Sequence, residues 1–222
     1  MTYEVFSIKD QSITKNNVYL IMDKKTRHTA IVDTGGTMKQ IRDIVLEKEL
    51  VLTMVLITHT HPDHIRNVNE IADQYNCNVY VSEKEVQYYQ YQCNNLQTFQ
   101  DMEALTLGET TITCVVTPGH TKGSTCFLLS DSFFTGDTIF IEGCGICNTP
   151  GGSANDMYQS VTKVKHLVED SVLVYPGHTY KNYPGKSMQF VKDNNIYFCM
   201  EEEEHFVSFR MRRNQNGLMD FI

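Results

Sequence analysis

Between Val51 and Asn67 the chain reads VLTMVLITHTHPDHIRN. The first eight residues are apolar on both faces and few in number, the pattern of a strand buried inside a sheet rather than one with a wet side. Directly past its end come His59, His61, Asp63 and His64, in a chain with only 8 histidines among 222 residues. Neutral imidazole and carboxylate are good ligands for zinc and iron. The chain is therefore expected to fold around a buried strand that delivers a metal-binding loop at a sheet edge, where ligands gather beyond strand ends.

The remaining elements follow from periodicity. YEVFSI and NNVYLIMD alternate apolar and polar positions and read as strands, as do HTAIVDTGG and NVYVS. Met38 to Glu49 carries helical spacing, and Pro62 suits the first turn of a helix that is expected to run on to about Tyr75. EKEVQYYQYQCNNLQ reads as a plain polar helix, with a lid over a substrate as the alternative. TTITCVVTPGH, STCFLLS, SFFTGD and SVLVYPGH are four further strands. SANDMYQSVTKVKHLV is a helix with Ser153 or Asn155 as its N-cap. The C-terminal forty residues are helical or mixed, with Phe190, Val191, Phe206 and Phe209 as core contacts. The two halves echo one another, and PGH occurs twice, at Pro118–His120 and Pro176–His178. No linker or low-complexity stretch interrupts them. One domain over 1–222 is expected: a core of about 3–195 with two β-sheets packed together and helices outside, and an extension over 196–222.

Composition narrows the function. With 41% hydrophobic residues the chain can bury a substantial core, and its formal charge of -8 disfavours a phosphate-backbone grip. RMRR at Arg210–Arg213 is expected to share a solvated helical surface with EEEE at Glu201–Glu204, and no nucleic-acid partner is expected. No secretory leader and no apolar run of about 20 residues is present, so neither export nor a membrane span is expected. Seven cysteines at irregular spacing do not form a disulfide framework, which points to a cytoplasmic, reduced chain. Cys144 and Cys147 read as free loop cysteines. His28, His166 and His205 read as surface or structural histidines.

His59 and His61 are two apart, so an extended backbone turns them to one side, while the turn begun at Pro62 swings Asp63 and His64 to a neighbouring position. One loop can then serve two metals. Further ligands must come from elsewhere, and His120, Asp137 and His178 all follow strand-like runs. Asp137 has two oxygens with which to bridge a pair of ions.

THTHPDH, PGHTKGS, FTGDTIF and YPGH, in this order, resemble the metallo-β-lactamase superfamily, over about residues 3 to 195. The resemblance implies an α/β fold, an αββα sandwich of two mixed sheets flanked by helices, with the site at one edge. Within that family the pattern is similar to glyoxalase II and its short relatives. It implies that His59, His61 and His120 bind one metal and Asp63, His64 and His178 a second, with Asp137 bridging. Asp63 and Asp137 are thereby placed in the reaction centre. Two Zn²⁺ per chain are implied, with iron or manganese as alternatives. Asp33 in IVDTGG would orient the metal-binding loop through hydrogen bonds.

Relatives of glyoxalase II hydrolyse thioesters by attack of a metal-bound hydroxide, and the whole chain most resembles the zinc-dependent hydrolases that accompany trans-acyltransferase polyketide synthases. An acyl carrier protein or a small acyl thioester is the partner this implies. Glyoxalase II itself carries a basic residue after GCG, where this chain has Ile146. Ile146 and Cys147 would suit an acyl chain or pantetheine arm, and Tyr180 matches a substrate-contacting tyrosine of the family. Hydroxyacylglutathione hydrolase is the alternative reading. A mononuclear iron persulfide dioxygenase, using His59, His120 and Asp137, is a further one.

Overall fold

A computed structural model describes residues 1–9 and 16–212. The first sheet has the order β1 (Tyr3–Lys9), β2 (Asn17–Asp23), β3 (His28–Val32), β4 (Val51–Leu56), β5 (Asn78–Ser82) and β6 (Leu96–Phe99). Strands β1 to β3 are antiparallel neighbours, and β3 to β6 run parallel. Parallel neighbours need crossover connections. These carry α1 (Met38–Glu47), α2 (Pro62–Ile65) with α3 (Val68–Tyr75), and α4 (Glu83–Tyr89).

The second sheet comprises β7 (Glu103–Leu107), β8 (Thr110–Val116), β9 (Thr125–Leu128), β10 (Ser132–Gly136), β11 (Leu173–Pro176) and β12 (Lys186–Ser187). It is antiparallel except at β10 and β11, whose parallel pairing is bridged by α5 (Ala154–Leu167). Two further helices, α6 (Met188–Asn194) and α7 (Glu203–Arg210), follow.

Strand periodicity builds the layers. Tyr19 and Ile21 of β2 face the inter-sheet core with Phe127 and Phe134, while Val18, Leu20 and Met22 face outward onto Ile41, Val45 and Ile71 of the helices. On the second sheet Phe134 points inward, and its neighbour Phe133 packs on Met157, Val161 and Val164 of α5. The result is the expected layering of helix, sheet, sheet and helix. Val191 and Phe206 are buried in the outer core of the second sheet, and Phe190 and Phe209 pack against it. Ser153 caps α5 by accepting from Asp156 N.

Four expectations need correction. The helix begun at Pro62 breaks between α2 and α3, because the His64 carbonyl accepts from Thr34 N and Oγ1 and cannot serve the amide four residues on. Asn67 spends its amide on the carbonyls of Thr34 and Gly36. The tyrosine-rich helix stops at Gln90, which adopts a left-handed conformation, and is followed by the unforeseen strand β6. Strands β7 and β12 were likewise not expected. Arg210 does not belong to a solvated charged face: it is buried, donates to the Cys144 carbonyl at 3.0 Å and lies over Tyr197. Arg213 lies outside the described residues. Cys144 and Cys147 are free, as expected, but buried. No helix among the described residues is long and apolar enough to cross a membrane.

Candidate metal centre

Strands β3, β4, β8, β10 and β11 all end at one edge of the sandwich, and each contributes from the residues just past its end. β3 supplies Asp33, and β4 leads into His59, His61, Asp63 and His64. β8 leads to His120, β10 to Asp137 and β11 to His178. The seven expected ligands come together as three overlapping groups: His59, His61 and His120; His59, His64 and Asp137; and Asp63, His64 and His178. The loop ending β11 must be tight, since a Cβ on Gly177 would stand 2.5 Å from Asp137 Oδ1.

Hydrogen bonds to the outer ring nitrogens set the tautomers. Thr58 Oγ1 donates to Asp33 Oδ2 at 2.8 Å, leaving its oxygen to accept from His59 Nδ1 at 3.0 Å. His64 Nδ1 donates to Asp33 Oδ2 at 2.8 Å, and His120 Nδ1 to the Ile146 carbonyl at 2.7 Å. In the neutral rings the electron pairs of all three Nε2 atoms therefore point inward. His61 Nδ1 lies 3.0 Å from His59 Nε2 and 2.9 Å from His120 Nε2, and one proton cannot satisfy both. Asp137 Oδ1 is buried and makes no hydrogen bond among the described residues. Converging nitrogen electron pairs and an orphaned carboxylate oxygen fit divalent cations.

The electrostatics divide the centre in two. Burial holds the His59 imidazole well below its ordinary range, pushes His120 down to about 4, and also lowers His61. Those three rings are neutral at pH 7 and ready to donate electron pairs. Burial opposes a proton on His64 as well, but Asp137 and Asp33 overcome it and raise that ring to about 9. His178 is raised against its burial by Asp137. Burial would raise the Asp137 carboxyl, yet His178 and His64 hold it well below the usual range. The second half thus attracts positive charge, as protons or as a cation.

Around this centre Asp33, expected to orient the metal-binding loop, accepts from Thr58 N as well as from Thr58 Oγ1 and His64. It does so with φ at 57°, a left-handed conformation uncommon for a residue other than glycine. Ile146 is 39% exposed beside His120. Cys147 differs from the expectation: it is 4% exposed in the core, and its thiol meets the Gly145 carbonyl. Its side chain therefore does not line the approach. Tyr180 is half-buried, with its ring on Phe140 and His178. His28, His166 and His205 are exposed and away from the cluster.

Two residues near the ligands had not been singled out. Asn16 donates to the Asp63 carbonyl at 3.0 Å and to Asp63 Oδ2 at 3.2 Å. Glu85 accepts four hydrogen bonds from the loops of His59 and His120. SEKE, Ser82 to Glu85, has the form of a helix capping box. Ser82 does cap Glu85 N, but the Glu85 carboxylate turns to the loops instead of closing the box.

The profile of the metallo-β-lactamase superfamily matches residues 14–178. The chain is 42% identical to the "Probable polyketide biosynthesis zinc-dependent hydrolase PksB" of Bacillus subtilis, over 100% of this chain and 99% of that protein. It is 41% identical to the "Probable polyketide biosynthesis zinc-dependent hydrolase BaeB" of Bacillus velezensis, over 99% and 98% of the two chains. Among solved structures, ETHE1 from Myxococcus xanthus superposes with a TM-score of 0.84 at 30% identity, covering 96% of this chain and 92% of that one.

Proposed function

The chain belongs to the metallo-β-lactamase superfamily, and from that premise we propose that it is a zinc-dependent hydrolase of polyketide biosynthesis that releases acyl groups from an acyl carrier protein thioester. One observation carries the reading: imidazole electron pairs and carboxylates converge on a buried Asp137 from the ends of several strands. Likeness over the full length to zinc-dependent hydrolases named for polyketide biosynthesis supports the pathway.

His59, His61 and His120 would hold one zinc ion, and Asp63, His64 and His178 a second, with Asp137 between them. Bound zinc supplies Lewis acidity toward a carbonyl and brings the acidity of water to near neutral pH. The protein's own groups do the rest. Asp63 has 27% of its side chain exposed, so its carboxylate meets both the cluster and solvent. Its Oδ2, which faces His64 and His178, is held by Asn16, so the other carboxylate oxygen would be the one to accept a proton from the attacking water. Asp33 and the Ile146 carbonyl keep His64 and His120 in the tautomers that face the centre.

The exposed Ile146 side chain offers an apolar wall to an acyl chain or pantetheine arm. Burial pushes the Tyr180 phenol up, so it stays protonated and can donate to the substrate. A thiol with an ordinary pKa near 8.5 departs as thiolate without a strong general acid.

The test is a competition among an acyl carrier protein thioester, an acyl-pantetheine and lactoylglutathione on metal-quantified protein. A higher kcat/KM for the carrier or pantetheine thioester supports the reading. Preference for lactoylglutathione would make the chain a hydroxyacylglutathione hydrolase instead.

A further inference from the structure

One buried acid is left without a part in that account. Glu85, in the first turn of α4, is fully buried. Its Oε1 accepts from Thr60 N and Thr60 Oγ1, both at 2.9 Å. Its Oε2 accepts from Thr121 Oγ1 at 2.9 Å and Gly123 N at 2.8 Å. A carboxylate has about four lone-pair positions, and here all are used. Thr60 stands between His59 and His61, and Thr121 follows His120. Among the described residues, the hydrogen bonds of this carboxylate go only to these two loops and not to Asp63, His64 or His178.

We propose that Glu85 is a positioning residue for the group formed by His59, His61 and His120, an inference that rests on the metal-centre reading above. One carboxylate spans a loop of the first sheet and a loop of the second and sets their separation. It is this separation that brings His61 Nδ1 to 2.9 Å from His120 Nε2. The loops press closely on α4, since a Cβ on Gly123 would lie 2.2 Å from Glu85 N.

The chemistry requires an acid of this length. Thr60 N and Gly123 N can only donate, one to each oxygen. A glutamine would oppose its NH₂ to one of them, so one loop would be released. Aspartate, one methylene shorter, could not reach both. A plain helix cap would need neither the charge nor the second loop.

The experiment titrates metal-free wild type, Glu85→Gln and Glu85→Asp with zinc by calorimetry, and records the melting of each metal-free protein. The two zinc equivalents should separate in Glu85→Gln, one weakened about 10–100-fold and the other unchanged within about threefold, as for loss of a group that orients a metal ligand. Glu85→Asp should weaken the same equivalent. Combining Glu85→Gln with His178→Ala should reproduce the loss on the surviving site, and combining it with His120→Ala should add none. Both equivalents binding as in wild type, with only the melting temperature lowered, would make Glu85 a structural acid and overturn the inference. Equal weakening of both would overturn it as well. Wild type that binds no zinc would instead remove the metal-centre reading, and the inference with it.

Discussion

Nε2 of His64 and Nε2 of His178 face one another across 3.3 Å, with Asp137 oxygens 3.4 Å from the first and 3.2 Å from the second. Because His64 Nδ1 is committed to Asp33, the inward electron pair of His64 needs a positive partner. Asp33→Asn tests that commitment and keeps a residue type that tolerates the left-handed backbone. The amide cannot accept from Thr58 N, Thr58 Oγ1 and His64 Nδ1 together. Metal affinity should fall about 10–100-fold, read by zinc titration of the metal-free variant.

Asp137 faces both ligand groups, and one of its buried oxygens is without a hydrogen bond among the described residues. Asp137→Ala should lose metal and lower kcat by a factor on the order of 10³ or more. Elemental analysis alongside turnover checks this, and a variant that kept its metal and full turnover would end the bridging assignment.

Ile146→Lys addresses thiol choice. At 39% exposure the side chain can be exchanged with a stability change within about 0.5 kcal/mol. A cation there should raise kcat/KM for lactoylglutathione about tenfold relative to the carrier thioester, equivalent to about 1.4 kcal/mol. An unchanged ratio would mean that this loop does not touch the thiol.

Far from the centre, Asp23 ties β2 to the turn between β7 and β8. It is fully buried and accepts from Thr26 N, Thr26 Oγ1, Glu109 N and Thr110 Oγ1. Burial alone would raise its carboxyl, but these hydrogen bonds bring it from 3.8 down to about 2. A lowered folded value means that the stabilisation is complete above pH 3.8 and disappears as pH falls through 2. Asp23→Asn should destabilise the metal-free protein at pH 7 by about 1–3 kcal/mol. Urea unfolding should show the gap between wild type and variant narrowing below pH 3.8.

Much of the fold and the candidate site was legible because local pattern and tertiary role coincide. β2 alternates and has two differently covered faces. Asp137, His120 and His178 follow runs that become strands, and Ser153 precedes a helix that it caps. What was illegible depends on partners distant in sequence. The helix break after Ile65 comes from Thr34 claiming the His64 carbonyl. Strand β6 exposes Gln97 and Thr98 at a sheet edge and carries little apolar signal. Arg210 sits in a charged run that reads as solvated surface, and Glu85 in a segment that reads as a plain polar helix. Their burial follows from acceptors and donors on other loops. Cys147 lies beside an exposed isoleucine, and only the packing against α5 turns it inward.

The most direct test of the central claim is a zinc titration of metal-free protein, with hydrolysis of an acyl carrier protein thioester read at each addition. Turnover that rises with added zinc and levels off once two equivalents are bound is the result the dinuclear thioesterase predicts. No turnover at any zinc loading, with one iron per chain and persulfide-dependent oxygen uptake instead, would contradict it.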